Sequence, residues 1–434
     1  MDEIEFIYTL FQKHPKIITD SRKIKEGCLF FALKGDRFNG NEYAQEAIQK
    51  GASYAIIDEE KYKKDDKTVL VDDVLSTLQK LATFHRRRMI IPIIAITGSN
   101  GKTTTKELIS VVLNSQYCCH STKGNLNNHI GVPLTLLELT SEHEVAIIEM
   151  GANHVGEIDF LCKITEPTHG IITNIGKAHL EGFGGVEGVK KGKSELYKFI
   201  QWQNGVAFVN MNESFLSELS KGIIKRVFYK KTEQPSPSEA AYETIFYQES
   251  PFVKVGFLDK NEEIISIQSQ LIGQYNFNNI MTAISIGRYF RVRPKRIQEA
   301  VENYTPSNNR SQLVKKTTNT FILDAYNANP TSMKNALVNF GQVDANKKIA
   351  ILGDMLELGK FSDEEHLKIA QQAIELKLDQ VILVGKEFSK IKIEGVQHFE
   401  NVNDLKEHFV IKDFQETYFL IKGSRGIKLE EFLS

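Results

Sequence analysis

Lys102 and Thr103 follow directly on a short glycine-bearing turn, Gly98-Ser99-Asn100-Gly101. An apolar run, Met89–Ile96, leads into the turn. A helical pattern, Thr104–Leu113, leads out of it, with apolar residues at Leu108, Ile109, Val112 and Leu113. Strand, tight loop and helix in that order are the setting of a phosphate-binding loop. Backbone N–H groups of such a turn converge on an anion, and the helix N-terminus adds its dipole. Lys102 is expected to reach the outer phosphates and the Thr103 hydroxyl to meet magnesium. The usual spacing would put the first glycine at 96, where Ile96 stands; Gly98 takes its place.

Further polar residues sit where strands end. Val145–Ile148 runs into Glu149, and Gly170–Ile175 runs into Gly176 and then His179. Ligands of parallel α/β sheets bind at such carboxyl ends, which suits both side chains to a nucleotide-bound metal. A carboxylate is an ordinary magnesium ligand, and a histidine a less usual one. The alternatives are a strand-end ion pair for Glu149 and a backbone-bonded loop histidine for His179. The loop 123–133 is rich in amides, and Asn127 and Asn128 offer a ligand both donors and acceptors. Asn276 and Asn279 lie on one face of a helix, Ile280–Phe290 and its lead-in. They suit a base edge or a helix cap. Ser21, Arg22 and Asn39 suit either a polar ligand or loop capping. Lys193, between Lys190-Lys191 and Glu195, reads on composition as a surface lysine.

The elements that must hold these residues divide the chain into three. Residues 1–88 read as a small α/β unit. Residues 89–308 carry the phosphate loop on a parallel sheet, with a strand-rich extension at Thr244–Tyr247, Phe252–Leu258 and Ile264–Ser269. A loop over Glu233–Ala241, with Pro235 and Pro237, precedes that meander. Residues 309–434 alternate strands and helices in a doubly wound, Rossmann-like pattern. Polar clusters follow three of its strands, Asp324–Pro330, Gly353–Gly359 and Lys422–Gly426, and are expected to line one cleft. The fold class is therefore α/β.

With 54 Lys and Arg against 55 Asp and Glu, the net charge is −1. That balance excludes bulk nucleic-acid binding and a polybasic membrane surface. The short cluster Arg86-Arg87-Arg88 reads as solvated surface. None of the four cysteines has metal-site spacing, the first residues lack a signal-peptide layout, and no apolar run approaches membrane length. A cytoplasmic protein, with no membrane insertion, is expected.

Together these stretches resemble the Mur ligases, the ATP-dependent amide-forming enzymes of peptidoglycan assembly. Thr19–Arg22 with Phe30–Gly35 is similar to the family's UDP-binding unit, and Thr97–Thr104 to its phosphate loop, displaced glycine included. Glu149–His154 and Ala178–Gly184 match its magnesium segments. Asp324–Pro330 and Gly353–Gly359 look like marks of the branch that adds D-alanyl-D-alanine. The resemblance implies ATP binding through Gly98, Ser99, Asn100, Gly101, Lys102, Thr103 and Thr104, adenine contact by Asn276 and Asn279, and closure over ATP at Arg310 and Asp324. It implies two Mg2+ ions, one on Thr103 and Glu149, the other on His179 and a carbamylated Lys193. Lys102, Lys193 and His179 would carry the catalysis. Ser21, Arg22, Lys34, Asn39, Asn127, Asn128, Tyr326, Asn327 and Asn329 would bind the substrates, UDP-N-acetylmuramoyl-tripeptide and D-alanyl-D-alanine. A monomer is expected. The alternatives are another ligase of this type, such as a folylpolyglutamate synthase, and a catalytically silent nucleotide-binding protein.

Overall fold

Alternating apolar strands and amphipathic helices bury one another's faces, and the chain settles accordingly into two compact units. The computed structural model describes residues 2–236, 240–248, 252–306 and 309–433. Pro237, in the loop expected over Glu233–Ala241, lies outside the described residues. One unit comprises Met1–Ile96, Tyr117–Gly151 and Ile158–Gly170; the other comprises Thr97–Gln116, Ala152–Glu157 and Ile171–Ser434.

The first unit begins with a four-stranded parallel sheet, Ile17–Ile18, Leu29–Phe31, Tyr54–Ile57 and Thr68–Leu70, in that spatial order. Phe30, Ala32, Ala44, Ala55 and Ile57 form its core. The helix Val74–Arg86, not foreseen from the sequence, closes the stretch, with Asp73 as its N-cap on Ser76 at 2.6 Å. Arg86 is not solvated surface as expected. It is buried, and its guanidinium donates to the carbonyls of Thr165, Met89 and Glu166, each at 2.9 Å. Three carbonyls replace the water a guanidinium would otherwise keep. Cys119–Ser121 pairs in parallel with Val145–Glu149, which pairs in parallel with Ile93–Thr97. The run Ile93–Ile96 is wholly buried, as a central parallel strand requires.

In the second unit Lys102–Asn114 packs on the helix Tyr275–Tyr289. Val206–Asn210, Lys225–Thr232 and Tyr242–Gln248 pair in parallel. Phe252–Leu258 and Ile264–Ile272 continue antiparallel, which is the expected meander. Residues 309–433 form a six-stranded sheet. Its spatial order is Gln312–Lys316, Asn319–Asp324, Thr417–Lys422, Lys347–Gly353, Gln380–Val384, Gln397–Phe399. Only the first pairing is antiparallel. Phe321, Ile351, Ile382 and Phe419 are in its core. The ends of three adjacent parallel strands therefore carry the three polar clusters. No helix is long and apolar enough to cross a membrane among the described residues. Cys28 and Cys162 are buried, and all four cysteines are free thiols.

Candidate active site

Gly98 and Gly101 shape the phosphate loop. Their φ angles are 146° and 76°, and a Cβ at Gly101 would stand 2.5 Å from Asn279 Oδ1. The loop is braced by the segment that follows Ile172. Ser99 N–H donates to Asn174 O at 3.0 Å, and Asn100 N–H to Asn174 Oδ1 at 3.0 Å. Asn100 O accepts from Thr173 Oγ1 at 2.6 Å and from Asn174 Nδ2 at 3.0 Å. Ser99 Oγ donates to Gly176 O at 3.1 Å. Asn174 is a central brace that sequence reasoning missed. In the sequence it reads as one more strand residue, whereas the strand ends at Ile172 and frees the side chain to cross to the loop. Lys102 lies back over the turn, its Nζ donating to Gly98 O at 2.7 Å. Thr103 is buried, and Thr104 follows in the helix that Thr105 N–H closes on Gly101 O at 2.8 Å. First-turn N–H groups and the positive dipole end are thus directed at the turn, an arrangement that attracts phosphate.

Asn276 and Asn279 do share one helix face, and both are buried. Asn276 Nδ2 donates to Ile272 O at 2.7 Å, and Asn279 Nδ2 to Asn276 Oδ1 at 2.8 Å. Asn279 Oδ1 accepts from Thr105 Oγ1 at 2.9 Å. The pair is a ladder from the helix to the phosphate loop.

Lys193 is fully buried on the helix Val186–Trp202. Its Nζ donates to Ala152 O at 3.2 Å and lies 5.1 Å from the Phe183 ring centroid. Burial pushes the amine well below the usual lysine value; Lys102 adds to the shift, against Glu157 and Glu195. His179 Nδ1 is hydrogen-bonded to the Glu357 carboxylate. That bond, opposed by burial, holds the Glu357 carboxyl below its usual value. Lys177 Nζ meets Glu365 at 2.5 Å. Glu357 had no signal beyond membership of the polar cluster Gly353–Gly359.

That C-terminal cluster and its neighbours meet as expected. Lys422 Nζ bonds Asp324 Oδ2 at 2.6 Å and Asn327 O at 3.2 Å. Ser424 N–H donates to Asp354 O at 3.0 Å. Tyr326 lies under two guanidiniums, Arg310 at 3.6 Å and Arg425 at 5.5 Å from the ring centroid. Asn327 Oδ1 accepts from Ala328 N–H at 2.9 Å. Asn329 caps the helix Pro330–Gly341 through Ser332 N–H at 2.9 Å, and its Nδ2 reaches Asn100 Oδ1 at 2.8 Å.

In the first unit Glu149 is buried, and its Oε1 accepts from Asn127 Nδ2 at 2.9 Å. Asn128 Oδ1 accepts from the N–H of Gly131 at 2.9 Å, at the start of the helix Gly131–Leu137. Lys34 Nζ bonds Asp58 at 2.9 Å and Glu59 at 3.2 Å, and Asn39 Nδ2 bonds Glu59 at 3.0 Å. Ser21 opens a 3-10 turn, Ser21–Lys23. Arg22, exposed, donates to Asp20 at 2.8 Å and holds that carboxyl at about 2.

Among the described residues, no cluster of three or more His, Cys, Asp or Glu side chains could hold a metal ion. Thr103 offers a hydroxyl beside the phosphate loop of the second unit and Glu149 a carboxylate in the first, donor types that fit magnesium bound largely through nucleotide oxygens. A buried lysine driven towards its neutral form is also the form that reacts with CO₂.

Three family models match the chain: "Mur ligase family, catalytic domain" over residues 16–90, "Mur ligase middle domain" over 96–287, and "Mur ligase, glutamate ligase domain" over 309–425. A UDP-N-acetylmuramoyl-tripeptide–D-alanyl-D-alanine ligase of Bacillus subtilis is 33% identical over 96% of this chain and 92% of its own length. The crystal structure of MurF from Acinetobacter baumannii matches with TM-score 0.85 and 30% identity, covering 98% of this chain and 96% of that one. MurF ligase from Thermotoga maritima in complex with ADP matches with TM-score 0.85 at 24% identity, covering 100% of this chain and 97% of that one, a likeness of fold.

Proposed function

Because the chain belongs to the Mur ligase family, we propose that it joins D-alanyl-D-alanine to UDP-N-acetylmuramoyl-tripeptide at the expense of ATP. The observation that carries this reading is the braced loop Gly98–Thr103 combined with the Asp324–Pro330 and Gly353–Gly359 clusters. The first is built for nucleotide phosphates, and the second matches the branch that takes the dipeptide.

The division of labour follows three domains, 1–88, 89–308 and 309–434. The first holds the UDP end through Ser21, Arg22, Lys34 and Asn39. The second binds ATP at Gly98–Thr104, with Asn276 and Asn279 beside the base. The third closes with Arg310 and Asp324 and holds the peptide ends with Tyr326, Asn327 and Asn329; Asn127 and Asn128 are the remaining substrate contacts. The protein works in the cytoplasm as a monomer.

The tripeptide's terminal carboxylate attacks the γ-phosphorus of ATP, ADP leaves, and an acyl phosphate forms. The amine of D-alanyl-D-alanine attacks the acyl carbon. It loses a proton, and inorganic phosphate departs. Two anions meet in the first step, so neutralising charge is the chief catalytic task. Lys102 releases Gly98 O and follows the γ-phosphate. Thr103 and Glu149 would hold one magnesium ion, and His179 and carbamylated Lys193 the second. Magnesium, when bound, neutralises phosphate charge that Lys102 alone cannot. Tyr326 and its two arginines exclude water from the acyl phosphate.

Phosphate release with ATP and magnesium tests the reading. Release that needs both UDP-N-acetylmuramoyl-tripeptide and D-alanyl-D-alanine is expected. Release stimulated instead by a folate and glutamate would overturn it.

A further inference from the structure

The contact between His179 and Glu357 joins residues 178 positions apart. Two bonds make it. His179 Nδ1 meets the Glu357 carboxylate, and Glu181 N–H donates to Glu357 O at 3.1 Å. Both partners are non-glycine residues in the left-handed region, His179 at φ 51° and Glu357 at φ 63°. That conformation is sparsely populated and persists only where the surroundings over-determine it.

The surroundings do so here. Beneath Glu357, Met355 N–H donates to His366 Nε2 at 3.0 Å, and Leu356 N–H donates to Ser424 Oγ at 3.0 Å. On the side of His179, Lys177 N–H donates to Thr331 Oγ1 at 3.1 Å, and Lys177 Nζ pairs with Glu365 at 2.5 Å. The carboxylate is therefore carried by a loop fixed from below and delivered to an imidazole whose own segment is tied down.

We propose that Glu357 is a positioning residue: it fixes the His179 ring with the proton on Nδ1, so that Nε2 keeps its lone pair for a ligand. An ionised carboxylate only accepts hydrogen bonds, so the nitrogen it meets must bear the proton. In a neutral ring the other nitrogen then carries the lone pair. A carboxylate behind a metal-binding imidazole sets its tautomer and raises its basicity. The inference rests on the reading of His179 as a magnesium ligand. It adds that the segment carrying Gly353–Gly359 must be docked before that ligand is correctly presented.

Histidine-selective ¹⁵N labelling of the full chain and long-range ¹H–¹⁵N correlation test this without substrate. The pH should be about two units above the ordinary imidazole value. His179 is identified among 11 histidines by the signals lost in His179→Gln. The wild type should show Nδ1–H. Glu357→Ala should move the ring towards Nε2–H, and Glu357→Gln, which keeps an acceptor oxygen, should retain Nδ1–H. In turnover, Glu357→Ala should lower kcat about 10–100-fold with KM for ATP changed less than about threefold. A His179 tautomer indifferent to Glu357→Ala, or an undiminished kcat, would overturn the proposal. Failure of the wild type to ligate the substrates named above would instead remove the functional reading, while the spectra still decide the positioning.

Discussion

Asn279 Oδ1 accepts the Thr105 hydroxyl at 2.9 Å, and the same oxygen is what a Cβ at Gly101 would strike at 2.5 Å. The helix Tyr275–Tyr289 and the phosphate loop thus share one atom. Gly101→Ala should push the loop off this support and strain a backbone at φ 76°. The left-handed backbone costs about 1–2 kcal/mol, and turnover should fall about 100-fold because an ångström of misplacement is that expensive. A second change, Asn279→Ala, should restore part of the loss. Steady-state kinetics of the single and double variants check this; an additive double variant would contradict it.

Asn329 holds two jobs that substitution can separate. As N-cap it satisfies Ser332 N–H, and as a contact it reaches Asn100 Oδ1 at 2.8 Å. Asn329→Ser keeps the cap and loses the reach. It should melt within about 0.5 kcal/mol of wild type, whereas Asn329→Ala should lose about 1 kcal/mol. Both should turn over more slowly than wild type to a similar degree. Equal stability of the two variants would show that the cap does nothing.

Much of this arrangement was legible in the sequence, because local pattern encodes it. Gly98 and Gly101 before Lys102 announce a loop on a helix, and Leu108, Ile109 and Val112 announce the helix. The strand-end rule assembled Asp324, Asp354 and Lys422 correctly, since parallel strands carry their carboxyl ends to one edge. What it could not give is partnership at long range. Asn174 looked like a strand residue, yet it braces Asn100 from 74 positions away. Glu357 reads as one polar residue among several, and only its contact with His179, 178 positions away, sets it apart. Lys193 has no local signature at all: a lysine on an amphipathic helix is normally solvated, and only the tertiary packing of Phe183 and Ala152 shows it to be inside. Arg86 failed for the same reason.

In the first unit, Asn41 is buried and holds Asp58 from both sides. Its Nδ2 donates to Asp58 Oδ1 at 2.9 Å, and Asp58 N–H donates to its Oδ1 at 2.9 Å. Asn41→Ala should cost about 2–3 kcal/mol, because a buried carboxylate and N–H lose partners together. It should also raise KM for the UDP substrate, since Lys34 rests on Asp58. Burial pushes the Asp58 carboxyl up, but Lys34, Val74 N–H and Asn41 outweigh it, and the net shift is downward from 3.8. The unfolded chain therefore binds this proton first as pH falls. The stabilisation is complete above the ordinary aspartate value and is lost as pH falls through the depressed one. Acid melts of wild type and Lys34→Met should converge at the lowest pH; curves that stay parallel would contradict the assignment.

Lys193→Met should separate stability from function. Burying an amine costs free energy that an apolar side chain of similar length does not incur. The variant should melt at or above the wild-type temperature while turnover falls at least about 100-fold, the trade-off expected where a strained group is kept for chemistry. Thermal melts and phosphate release measure the two sides. A variant that is destabilised yet active would reverse the assignment of Lys193.

The most direct measurement is the mass of the product. Purified protein would be given ATP, magnesium, UDP-N-acetylmuramoyl-tripeptide and D-alanyl-D-alanine, and the UDP-linked species followed by mass spectrometry. One new species, heavier by the dipeptide less one water and accompanied by one phosphate, is predicted, with Lys102→Ala making none. An unchanged UDP substrate in the presence of folded, ATP-binding protein would contradict the account.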